Sequence, residues 1–149
     1  MKSNRNSIAQ SLVEFALILP LVLLLVTGFL DIGRAFFYYS SLTNASREGA
    51  RSGLVMNLDD YDTNPTKKAA VDTAIKNNVL GYAFGMTTLG TGDITVTITK
   101  NATTLLFEKV KVTAAYCYVP ITPGIISIVT TTCKGSQGIQ LSATSTMRY

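Results

Sequence analysis

Three hydrophobic periods succeed one another along this chain, and each predicts a different element. From Phe15 to Leu30 every residue is uncharged and most are Leu, Val, Ile or Phe. Wound as a helix, this run spans roughly 24 Å at about 1.5 Å per residue. Leu12 and Val13 extend it toward the ~30 Å of a bilayer's hydrocarbon core, so residues 12–30 are the expected membrane-spanning part. The pattern then changes period but does not stop. Ile32, Ala35, Phe36, Tyr39, Leu42, Ala45, Gly49 and Gly53 follow at spacings of three and four, one face of the same helix continuing beyond the membrane to residue 56.

"NLDDYDTNP", Asn57 to Pro65, breaks the pattern. Pro65 opens a second helix with Ala70, Val71, Ala74, Ile75 and Val79 on one face, and Gly81 is its expected end. Period two takes over at Ile94, Val96 and Ile98, which alternate with Thr in a half-buried strand. A second strand alternates Phe107, Lys109 and Lys111 against Glu108, Val110 and Val112. A last strand puts Ile139, Leu141, Ala143, Ser145 and Met147 on one face. Between these two strands "PITPGIISIVTTT" carries two prolines and reads as an irregular excursion. Its apolar cluster, Ile121, Ile125, Ile126, Ile128 and Val129, either contacts another subunit or folds back on the sheet. The expected class is α+β: a long N-terminal helix, a second helix and a small antiparallel three-stranded meander. The expected organisation is a cytoplasmic leader over 1–9, the long helix over 10–56 and an extracytoplasmic domain over 57–149.

Charge orients the segment. Lys2 and Arg5 precede the apolar run, with no acid before Glu14. They hold the N-terminus in the cytoplasm and send residues 31–149 across. Three fates remain open for the segment. It is a secretory signal cut near Val26-Thr27-Gly28, a plain uncleaved anchor, or a helix retained after a cut on the cytoplasmic side. The helical continuation beyond Leu30 argues against a disposable signal. A cut between Ala9 and Gln10 would leave an ammonium at Gln10 and a carboxylate, Glu14, four residues on. An ionisable group in a membrane segment finds a partner. In a helical stack of subunits, Glu14 of one chain meets the Gln10 ammonium of the next and sets axial register. The competing reading leaves Glu14 in the first helical turn among headgroups, favoured by the helix dipole.

Composition narrows the chemistry. The 149 residues are 47% apolar and 15% charged, with no His and no Trp. The commonest general base and metal ligand is therefore missing. The net charge of +4 is too small and scattered to argue for nucleic acid. No phosphate-binding loop and no catalytic constellation can be named, so an enzyme is not expected, nor a cofactor. Asp59, Asp60, Asp62 and Asn64 lack the spacing of a calcium loop and read as a solvated turn, so no metal is expected. Cys117 and Cys133 cannot form a CxxC motif or complete a zinc site. In an exported domain they form one disulfide, about 3 kcal/mol in the chain-entropy model. The alternative is two buried thiols in a reducing compartment.

The N-terminal third, "AQSLVEFALILPLVLLLVTGFLDIGRAFFYYSSLTNASREGAR", resembles TadE-like pilins, subunits associated with tight-adherence (Tad) pili and related to type IV pilins. The blocks that carry the resemblance are Gln10 to Ala16, Pro20, Asp31-Ile32-Gly33-Arg34 and Asn44 to Arg51, with a looser match in "LSATSTMRY". The resemblance implies a prepilin peptidase cutting between Ala9 and Gln10. The family usually has Gly before the cut, and here Ala9 stands there. It implies that Pro20, which removes a backbone donor inside the apolar run, marks a kinked or loosened stretch used in filament packing. A passive kink is the other reading.

Several side chains carry structural readings of their own. Ala45, Gly49 and Gly53 form a small-residue line that admits a close neighbour, either the chain's own sheet or another subunit's helix. Asp31 with Arg34, and Glu48 with Arg51, read as surface pairs one turn apart. "AFFYYS" reads as an interfacial aromatic belt or core packing. Asn44 and Asn101 each open a glycosylation-like triplet, which by itself means little.

The function this implies is a structural pilus subunit in the bacterial inner membrane, later in an extracellular pilus. Its partners would be other pilin subunits (copies of itself or a major pilin), the prepilin peptidase and the pilus assembly platform. Within the family a chain of this length is usually a minor pilin, while a filament made wholly of this chain stays open. The alternative is an uncleaved single-span module that binds or assembles on the outer membrane face.

Overall fold

The computed structural model describes residues 5–100, 107–122, 131–133 and 136–149. Residues 1–4 of the expected leader, the expected turn at Asn101, and Ile125, Ile126, Ile128 and Val129 of the apolar cluster lie outside them.

One helix, α1 (Arg5–Val55), runs without interruption through Pro20. At about 1.5 Å per residue its 51 residues reach roughly 77 Å. The second helix, α2 (Pro65–Tyr82), starts where its sequence dictates. The Asn64 side chain accepts hydrogen bonds from the backbone N–H groups of Thr66 and Lys67, and Pro65 occupies the first turn. It runs through Gly81, one residue past its expected end, and closes where the Ala83 N–H reaches the Leu80 carbonyl. In the turn before it, Asp60 takes a positive φ of 60°, which Asp tolerates better than most residues.

Strands β1 (Ile94–Lys100), β2 (Phe107–Tyr118) and β4 (Ser136–Arg148) are antiparallel, and a three-residue β3 (Thr131–Cys133) adds to β4. The order is β1-β2-β4-β3. The three long strands of the expected meander are therefore present. The short fourth strand comes from the end of the stretch expected to be irregular. Register also differs in one place. Lys100 pairs with Phe107 while Thr99 pairs with Lys109, so two residues oppose one. This bulge at Glu108 turns Phe107 toward the core, where its ring meets that of Tyr61 edge-on. Strict alternation from Lys109 would have placed Phe107 on the outer face.

The core lies between the distal half of α1, α2 and one face of the sheet. Leu42, Ala45, Ile75, Val79, Val110 and Val112 have no exposed surface. Gly49 and Gly53 let α1 approach closely. A Cβ on Gly49 would collide with Val79, and one on Gly53 would lie 2.8 Å from Val110 and 3.0 Å from Ile75. The small-residue line thus meets α2 and the sheet of the same chain. Nearer the membrane the buried stripe of α1 departs from the expected one. Ile32, Phe36 and Tyr39 are exposed, while Asp31 and Tyr38 turn inward, and Leu42 keeps its expected buried place.

Candidate functional site

The proximal half of α1 leaves the globular part altogether. From Leu12 to Leu30 nearly every large apolar side chain is exposed, and the helix is long and apolar enough to cross a membrane. Such a surface is stable only against lipid or other apolar helices. Ala9, Gln10 and Glu14 lie within about a turn and a half at its start. The Gln10 Nε2 donates to Oε1 of the exposed Glu14 at 3.4 Å.

The apolar stretch ends at Asp31, and here the structure corrects the surface-pair reading. Asp31 is only 3% exposed. Its Oδ1 accepts from the Ile121 N–H at 3.0 Å, and its Oδ2 from the Thr122 N–H at 3.0 Å and the Thr122 hydroxyl at 2.6 Å. The Tyr118 hydroxyl sits 3.0 Å from Oδ1 and 3.1 Å from the Asp31 carbonyl, one donor shared between two acceptors. Arg34 stands farther off, its Nη1 at 3.8 Å. The guanidinium instead lies over two rings, 5.9 Å from the Tyr38 centroid and 5.7 Å from that of Tyr118. Glu48 and Arg51 form no ion pair. Among the described residues the two ion pairs are Arg34–Asp31 and Lys100–Asp62.

Electrostatics follow from this geometry. Burial alone would push the Asp31 carboxyl up. The donors from Ile121, Thr122 and Tyr118 outweigh it and bring the group down to about 2. Burial, with the neighbouring Asp31 carboxylate, pushes the Tyr118 hydroxyl up to about 12.

The clamp on Asp31 is stapled from behind. Cys117 and Cys133 are joined, with Cα atoms 5.9 Å apart, so the disulfide precedes Tyr118 directly in sequence. Gly138 on β4 makes room for it. A Cβ there would lie 2.8 Å from the Cys117 Sγ, 2.8 Å from the Tyr118 carbonyl and 3.0 Å from the Cys133 Sγ. Tyr38 is the inward member of the aromatic run and packs on Tyr116 and Tyr118 at centroid distances of 5.5 and 5.7 Å. Phe36 and Phe37 stay exposed.

The carboxylate-rich turn is held by its own contacts. Asn57 accepts from the Asp59 N–H and the Lys67 Nζ, Asp62 pairs with Lys100 at 2.6 Å, and Asn64 caps α2. Among the described residues no group of acids, Cys or His is placed to hold a metal.

Sequence reasoning missed the role of Asp31. Its partners lie 87 to 91 positions away, so no local period reveals them. The one available signal was an acid placed directly after an uncharged run.

A family model described as TadE-like protein matches residues 9–51. The match spans Ala9, Gln10, Glu14, Pro20, Asp31, Ala45 and Gly49, and stops short of Gly53. No curated protein and no solved structure matches the chain.

Proposed function

We propose, from the match of residues 9–51 to a TadE-like family model, that the chain is a structural, pilin-like subunit of a Tad-type pilus. It enters the inner membrane by residues 12–30 with its C-terminal domain outside. A prepilin peptidase cuts between Ala9 and Gln10, and the mature helix packs among other pilin subunits, handed on by the assembly platform. The filament then serves adhesion.

One observation carries this reading. A single helix has one half bare and apolar and the other half sealed against its own α2 and sheet. The small-residue line Ala45, Gly49 and Gly53 is spent on internal packing, so assembly falls to the bare half. There the exposed Glu14 carboxylate sits one turn from Gln10. After the cut, the Gln10 ammonium of one subunit and Glu14 of the next make a charge pair in an apolar bundle. A misplaced subunit would leave both charges unpaired, and this sets the register. Pro20, lacking an N–H, is the point where the helix loosens as neighbours close on it.

Glu14→Ala tests this. The variant should insert in the membrane at wild-type level yet yield no sheared filaments. Wild-type filament yield would instead favour the uncleaved single-span module, with Glu14 an interfacial acid.

A further inference from the structure

Charge is divided unequally along the chain. Residues 1–93 hold eight cations and eight acids, whereas residues 94–149 hold five cations and one acid. The whole net charge of +4 therefore belongs to the sheet region. Register gathers three of those cations. Lys109 on β2 and Arg148 on β4 are direct cross-strand partners, and Lys111, two residues along, faces Thr97 and Thr146. All three lie on the face opposite the core, because the alternating Val110, Val112 and Met147 pack inward.

Like charges set opposite each other cost stability, and among the described residues no acid forms an ion pair with them. Glu108, the one acid in this region, sits at the bulge and forms no ion pair among the described residues. Protection of a sheet edge does not account for the lysines, because β2 is paired on both sides, with β1 and with β4, at Lys109 and Lys111. Around the cations the face carries hydroxyls. Thr97, Thr144 and Thr146 are exposed, and the Thr113 and Thr144 hydroxyls lie 3.0 Å apart. It carries no aromatic ring among the described residues. Tyr116 and Tyr118 belong to the other face.

We propose that this outer face of β1, β2 and β4 binds an acidic polysaccharide. Lys109, Lys111 and Arg148 would take the carboxylates of successive sugars, and the threonine hydroxyls would take sugar hydroxyls. Adjacent strands about 4.8 Å apart and alternate residues about 7 Å apart give a flat cationic grid for an extended anionic chain. A single-stranded nucleic acid is the poorer fit, since its bases need rings to stack on. The inference deepens the adhesive role proposed above by naming the class of surface.

The test uses the full-length chain in zwitterionic detergent, titrated with alginate and, separately, with neutral dextran. Filament yield from cells carrying the same variants is scored independently, so failure to polymerise and failure to bind are read apart. The wild type should bind alginate, not dextran, and lose affinity as salt rises. The triple variant Lys109→Gln/Lys111→Gln/Arg148→Gln should lose at least about tenfold in affinity, whereas Arg51→Gln on α1 should retain it. Equal binding of alginate by the triple variant, equal binding of dextran by the wild type, or tighter binding of oligothymidylate than of alginate would overturn the proposal.

Discussion

The hydroxyl of Thr122 donates to Oδ2 of Asp31 at 2.6 Å, across 91 residues of sequence. Together with the donors of Ile121 and Tyr118 it ties the loop after β2 to the helix at the point where the apolar stretch ends. Asp31→Ala would leave those donors facing a cavity with no acceptor. Each buried donor left without an acceptor costs about 1–3 kcal/mol, so the unfolding free energy of the detergent-solubilised chain should drop by about 3 kcal/mol or more. Thr122→Val removes one charge-assisted bond and should cost about 2 kcal/mol. Denaturant unfolding followed by near-ultraviolet circular dichroism measures both.

The same group gives the pH dependence its sign. The folded Asp31 carboxyl titrates at about 2, below its ordinary 3.8. Its contribution is complete above pH 3.8 and is lost as pH falls toward 2. Tyr118 acts at the other end. Its folded hydroxyl is raised from 10.0 to about 12, so its contribution is complete below pH 10 and lost as pH climbs toward 12. Acid unfolding should come at higher pH in Asp31→Asn than in wild type. In Tyr118→Phe, the tyrosinate absorbance step near pH 12 should disappear, while that of Tyr61, which burial and Asp72 push higher still, remains.

Gly49 is sealed by Val79 of the same chain. Gly49→Val should destabilise the monomer by about 2–3 kcal/mol through overpacking. Val79→Ala in the same chain should restore part of that loss, because it vacates the colliding methyl. Recovery in monomeric chain measured by thermal unfolding would place the contact within one subunit, and absence of any loss would contradict it.

Gly138 lies against both sulfurs of the disulfide. Gly138→Ala should leave a fraction of Cys117 and Cys133 as titratable thiols after export, read by alkylation and mass. Reduction of the wild type should cost about 3 kcal/mol and loosen the neighbouring Tyr118 contact with Asp31.

Elements with a strong period were legible in the sequence. The uncharged run, the Pro65 start of α2 and the Thr-alternating β1 each follow from local chemistry, and the structure has them. What failed was face assignment where contacts are distant. Ile32, Phe36 and Tyr39 shared a helical line with Leu42, but the aspartate clamp and the Tyr38 ring stack rotate the buried stripe of α1 away from them. Phe107 was misplaced because a bulge is a register event between strands, invisible within either strand alone. Asp31 looked like half of a surface pair because Arg34 is near in sequence, whereas its real donors come from the other end of the chain. The proposed cut at Ala9 and Gln10 and the register role of Glu14 rest on local spacing alone, with no distant contact behind them.

The most direct test of the central claim is the N-terminus of the chain recovered from membranes and from sheared surface material, read by intact mass and N-terminal sequencing. The proposed prepilin processing requires a chain that begins at Gln10 in both fractions. A chain that begins at Met1 would contradict it and leave a single-span anchored module, and one that begins at Phe29 would contradict it by removing the helix on which assembly depends.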